Sequence, residues 1–183
     1  MLNAKKYLAR FDQILNAMAS NMLSANITDS ITINFIECMI PHHQAAIYMC
    51  ENLLRYTDYR PLQEIANNII KMQTRGINQM KEIARTTSGF SNSKEDVNCY
   101  MKKYFEITKN MIYRMRNSSR VMNINCNFVS EMIPHHEGAI AMCDNLLQYC
   151  IDPRLEHVAK AIIKEQSEGV RQLKAIRESL CLK

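Results

Sequence analysis

The pentapeptide Met-Ile-Pro-His-His occurs twice in this chain, at Met39–His43 and at Met132–His136, with an offset of 93 residues. The match runs on without a gap: 24 of the 49 positions from Phe35 to Ile83 are identical in Phe128–Ile176. An ungapped internal duplication constrains the fold more than any other feature, because both copies must adopt one architecture. Four of the five histidines lie in the two pentapeptides, so the residues best suited to chemistry were copied along with the fold.

Four glycines and four prolines in 183 residues leave little room for a turn-rich β architecture, which predicts an all-α chain. Each copy reads as three helices. Tyr7, Phe11, Ile14, Met18 and Met22 trace one face of the first, and Tyr100, Tyr104, Ile107, Met111 and Met115 repeat it. The second helix starts at Asp29 or Ser30, both good N-caps, and runs to about Tyr56. Pro41 falls inside it and removes the bond to the Glu37 carbonyl, which predicts a kink just before the histidines. The apolar rhythm Ile36, Met39, His43 crosses the proline unbroken, which favours a kink over a fresh helix starting at Pro41. A turn over Thr57–Pro61 leads to the third helix, with Leu62, Ile65, Ile69, Met72, Ile77 and Met80 on its apolar face. The second copy does the same from Arg154 through Leu180.

A polar stretch, Thr86–Ser93, separates a first repeat at 1–88 from a second at 94–183. A three-helix unit leaves an apolar flank, and pairing the copies about an approximate two-fold axis would cover it. The expected architecture is six helices in two tandem three-helix repeats.

The net charge of +5 is mild and its cations are dispersed, which gives a nucleic-acid partner no support. No apolar stretch is long enough to span a bilayer, and no secretory signal is visible at Met1–Arg10. Seven cysteines, an odd count, read as reduced thiols and point to the cytoplasm. Cys38, Cys99, Cys126, Cys150 and Cys181 have no cysteine at the matching position and are expected to matter little. His157 aligns with Glu64 and reads as a surface residue.

Helical spacing gathers the candidate ligands. Met39 stands beside His42 and His43 at i+3 and i+4, His42 reaches Met49 at i+7, and His43 reaches Cys50. The second copy supplies Met132, His135, His136, Met142 and Cys143. Met18 and Met22, with Met111 and Met115 in the other copy, can add thioethers from the facing first helix. Thioether and thiol groups suit Cu(I), and imidazole suits several metals, zinc among them. The plainer reading has the methionines filling irregular core gaps and the thiols packed as small apolar groups. Adjacent histidines on the inner side of a helix resist that reading, since each ring nitrogen needs a partner. Both pairs persist although half the surrounding positions differ.

Other chemistry lacks its motifs. There is no Glu-x-x-His, no His-Glu-x-x-His, no Cys-x-x-Cys and no glycine-rich phosphate loop, so no catalytic residue is assigned.

Phe35–Met49 and Phe128–Met142 closely resemble the signature of the family called domain of unknown function 305: a Phe, then Met-Ile-Pro-His-His, small residues, Ala-Ile and a Met. Downstream, Gln73, Ile77 and Met80 fit the family pattern, as do Gln166 and Val170. Gly76 and Gly169 stand where the family has Glu, and Leu173 where it has Met. The resemblance covers almost the whole chain as two tandem copies. It implies a ferritin-like helical bundle and an association with copper through His and Met. The expected function is metal binding, buffering or storage, with copper as Cu(I) preferred, zinc the alternative metal, and a homo-oligomer possible. The competing reading is a structural or interaction bundle whose histidines are hydrogen-bonded core residues.

Overall fold

The computed structural model describes residues 2–181. Six α-helices follow in order: α1 (Leu2–Leu23), α2 (Ile31–Leu54), α3 (Arg60–Thr86), α4 (Lys94–Arg116), α5 (Ile124–Leu146) and α6 (Pro153–Ile176). A π-helical turn, Arg177–Cys181, extends α6, and no strand occurs among the described residues. The all-α expectation is met, and α2 runs unbroken through Pro41 as α5 does through Pro134.

Local chemistry accounts for the helix ends. The Ser30 hydroxyl accepts from the Ile33 amide, as the N-cap reading required, and Ser93 and Asn123 cap α4 and α5 in the same way. The loops before α2 and α5 are clasped by one device. The Asn34 side chain accepts from the Thr28 amide at 2.8 Å and donates to the Thr28 carbonyl at 2.9 Å. Asn127 does the same with Val121, at 2.8 Å both ways. In each copy the middle helix is also tied to the first, Asn52 donating to the Tyr7 carbonyl and Asn145 to that of Tyr100.

Burial ranks the helices. In α2, 16 of 24 residues are buried, against 8 of 27 in α3, so α2 is central and α3 shows one face to the core. Within each copy the middle helix packs between the other two, and across the copies α1 meets α4, α2 meets α5 and α3 meets α6. The two units therefore touch along their whole depth and share one apolar core, with Phe35 and Phe128 fully buried in it.

One sequence expectation is corrected. Cys126 and Cys181 form a disulfide, with Cα atoms 5.5 Å apart, so the seven cysteines are not all free thiols. The bond ties the start of α5 to the turn after α6. Spacing along the chain could not show it, because 55 residues separate partners that only packing brings together.

Candidate metal centre

The four histidines lie in the middle of the bundle, each no more than 2 % exposed. His42 and His135 meet across the copies, their rings stacked with centroids 3.7 Å apart. His42 Nε2 donates to the His135 carbonyl at 3.2 Å, and His135 Nε2 donates to the His42 carbonyl at 3.2 Å. A carbonyl can only accept, so this pair fixes Nε2 as the protonated nitrogen and leaves a lone pair on each Nδ1. His43 and His136 turn the other way, onto the third helix of their own copies. A Cβ at Gly76 would lie 3.0 Å from His43 Nε2, and one at Gly169 would lie 2.7 Å from His136 Cδ2. Those glycines admit the imidazoles, and a side chain there would occupy the same space.

This contact makes a graded expectation. In Gly169→Ala the new methyl must displace a buried, packed ring, which costs about 1–3 kcal/mol against a helix-propensity gain of about 1 kcal/mol. Gly76→Ala meets a softer contact and should be near neutral. Thermal melts of the two variants compare them directly, and equal midpoints would show that the His136 contact carries no strain on substitution.

Burial sets the charge state. It holds all four imidazoles well below their ordinary range, to about 3 for His43 and about 4 for His135, with neighbouring imidazoles adding to the effect at His42, His43 and His136. Neutral rings at pH 7 offer lone pairs to a metal. The Nδ1 atoms of His42, His43, His135 and His136 are buried and make no hydrogen bond, and the same is true of Gln73 Oε1 and Gln166 Oε1. Buried acceptors without partners are rare in folded proteins and call for an ion, a water or a ligand. On that count the donor set fits a metal.

The sulfur of Met111 packs against Gly138. Met18 lines a groove between α1 and α2 with Ile40, Pro41, Ala45 and Tyr48, in which no histidine appears. His42 thus stacks on the other copy and His43 lies against α3. Helical spacing gives the face a residue occupies but not which neighbour covers that face. Met22, Met39, Met49, Met115, Met132 and Met142 are all buried in the core. Burial pushes the Cys50 and Cys143 thiols far above their usual range, so both stay protonated and are weak ligands until a metal displaces the proton. Among the described residues no three His, Cys, Asp or Glu side chains converge in a group that could hold a metal ion.

Sequence reasoning missed a second polar group in the core. Tyr7 of α1 donates to Glu131 Oε2 at 2.5 Å, joining the two copies, while Glu131 Oε1 has no partner. Burial raises the Glu131 carboxyl to about 8 although Tyr7 and Arg120 oppose the shift. Position 38 is the match of Glu131 in the first copy, and there a cysteine stands. Tyr100, the match of Tyr7, accordingly has an unpartnered hydroxyl. A lone carboxylate between Val129 and Met132 on an otherwise apolar face was the available signal.

The family model described as domain of unknown function, DUF305, matches residues 5–84 and again residues 85–177. A solved structure, a DUF305 fragment from Deinococcus radiodurans, is similar with a TM-score of 0.59 at 22 % identity, over 82 % of this chain and 97 % of that one. At that identity the likeness speaks for the fold alone. No curated protein matches the chain.

Proposed function

The chain belongs to the DUF305 family through two tandem copies of its domain, and we propose that it is a metal-binding protein that takes up copper as Cu(I) for buffering or storage. One observation carries the reading: four buried, neutral imidazoles whose Nδ1 atoms lack any hydrogen-bond partner. His42 and His135 present those lone pairs in a fixed tautomer, and His43 and His136 add unpartnered Nδ1 atoms from the opposite side of the same helices. Met39, Met49, Met132 and Met142 are the thioethers on the two central helices, and Cys50 and Cys143 the thiols. Soft ligands of this kind favour Cu(I) over zinc and disfavour Mg²⁺ and Mn²⁺. The like-on-like contacts of the copies support an approximate two-fold axis through the stacked histidines within a ferritin-like bundle.

A second reading rests on the reciprocal bonds of His42 and His135. Each ring satisfies a carbonyl of the other copy, as a purely structural pin between repeats would.

Anaerobic titration with Cu(I) against a competing chelator separates the two readings. Ascorbate holds the copper reduced and spares the disulfide. Two ions per chain are expected, halved in His42→Ala/His43→Ala and abolished when His135→Ala and His136→Ala are added. Circular dichroism checks each variant, and His→Gln replaces any Ala version that fails to fold. Loss of all copper in the first double variant would mean that the four histidines act as one centre. No binding by the unaltered protein, or full binding by the four-histidine variant, would leave the structural reading.

No helix is long and apolar enough to cross a membrane among the described residues. The cytoplasmic placement stands against the Cys126–Cys181 disulfide, since such bonds persist mainly in oxidising compartments. Counting alkylated thiols in protein trapped directly from cells decides: seven means a reducing compartment, and the five free cysteines alone mean an oxidising one.

A further inference from the structure

We infer that the small cavity between α3 and α6 is the passage by which cations reach the buried histidines, with Gln73 and Gln166 as the groups that replace an entering ion's water. The cavity has a volume of about 110 Å³, enough for a few waters, and His136 forms part of its wall. Gln73 and Gln166 line it from opposite helices, each only 2 % exposed, and both amide oxygens lack a partner. An unpartnered carbonyl oxygen attracts a cation or a water proton and repels an anion, so the lining selects by charge. Glu165 and Glu168 stand on the same wall, and their pairing with Arg75 and Arg171 holds them in place. Four larger grooves on the surface contain none of the four clustered histidines.

Stripping the shell from a cation is costly unless other oxygens take its place, and two neutral amides do so without trapping the ion as carboxylates would. Gln73 and Gln166 occupy matching positions in the two copies, so both units contribute to one passage. The inference rests on the proposed metal binding for its purpose, but its geometry can be tested without metal.

Two measurements test it. The first follows transfer of Cu(I) from a coloured chelator complex by stopped flow. Gln73→Leu/Gln166→Leu keeps the volume and removes the oxygens, and Asn68→Trp fills the mouth from an exposed position. Both should slow uptake at least tenfold with the final stoichiometry unchanged. Ala17→Trp, which fills the larger groove between α1 and α2, should leave the rate alone. The second uses diethyl pyrocarbonate, which an imidazole nitrogen attacks at a carbonyl carbon, releasing carbon dioxide and ethanol. Peptide mapping should show modification at His136 that Asn68→Trp suppresses and Ala17→Trp does not. Copper uptake at an unchanged rate in Gln73→Leu/Gln166→Leu and in Asn68→Trp would overturn the passage while leaving the metal reading intact. Failure of the unaltered protein to take copper, with His136 modification still blocked by Asn68→Trp, would overturn the metal reading and leave the passage. Equal modification in all variants would sink the passage outright.

Discussion

Lowering the pH from 7 to 5 should destabilise the folded protein by about 5 kcal/mol, enough to unfold a domain of ordinary stability. The four histidines drive this. Their folded pKa values are depressed below the unfolded value of about 6.5, so the stability they contribute is present above that pH and is lost as pH falls below it, toward about 3 for His43 and about 4 for His135. Each unfolded imidazole then gains a proton that the native one refuses. Glu131 works in the opposite sense. Its folded pKa of about 8 lies above the unfolded value, so its contribution is complete at low pH and is lost as pH rises through 8. Four depressed bases outweigh one raised acid below pH 7, and the acid wins above it, which places the stability maximum at about pH 7. Urea melts followed by circular dichroism from pH 5 to 9 give the curve. Glu131→Gln should flatten the stretch from about pH 7 to 8, where Tyr7 keeps a neutral acceptor, and leave the acid side steep; toward pH 9 the buried Cys50 and Cys143 thiols, raised in the folded chain, keep a decline. A midpoint that does not move between pH 7 and pH 5 would mean that the imidazoles titrate as freely in the folded chain as in the unfolded one.

Reduction of the Cys126–Cys181 disulfide should cost about 2–4 kcal/mol. A closed loop of 55 residues restricts the unfolded chain by about 4 kcal/mol in the chain-entropy account, and fraying of the Arg177–Cys181 turn offsets part of it. The same loss is expected in Cys126→Ala/Cys181→Ala, which separates the bond from side effects of the reductant. Cys38, Cys50 and Cys143 are buried and free in either state, so they do not confuse the comparison. Identical denaturation midpoints with and without reductant would show that the cross-link adds nothing to the fold. The bond also pins α6 against α5, the helix pair that carries Gly169 and His136. Its loss should therefore loosen the histidine environment of the second copy before that of the first.

Much of the helical scheme was legible along the chain because helix formation is written in short-range terms. The Ser30 cap, the Tyr7–Met22 stripe and the break at Thr86–Ser93 each depend on residues within a few positions of one another. The interior placement of the histidines was legible for the same reason, since they share a face with Met39 and Met49. Duplication then did for the whole chain what periodicity does for a helix: a motif seen once had to be seen again.

The order of residues along the chain thus specified two copies of three helices with His42, His43, His135 and His136 facing inward. What they face was settled by packing between the copies. That His42 stacks on His135 of the other copy depends on how two central helices cross. The Tyr7–Glu131 bond depends on how α1 of one copy meets α5 of the other, its partners 124 residues apart in the chain. Apolar burial drives the copies together without regard to direction, so any of several dockings would hide the same flanks. Directional contacts, imidazole to carbonyl and phenol to carboxyl, select one of them, and those contacts are recorded in space rather than in spacing.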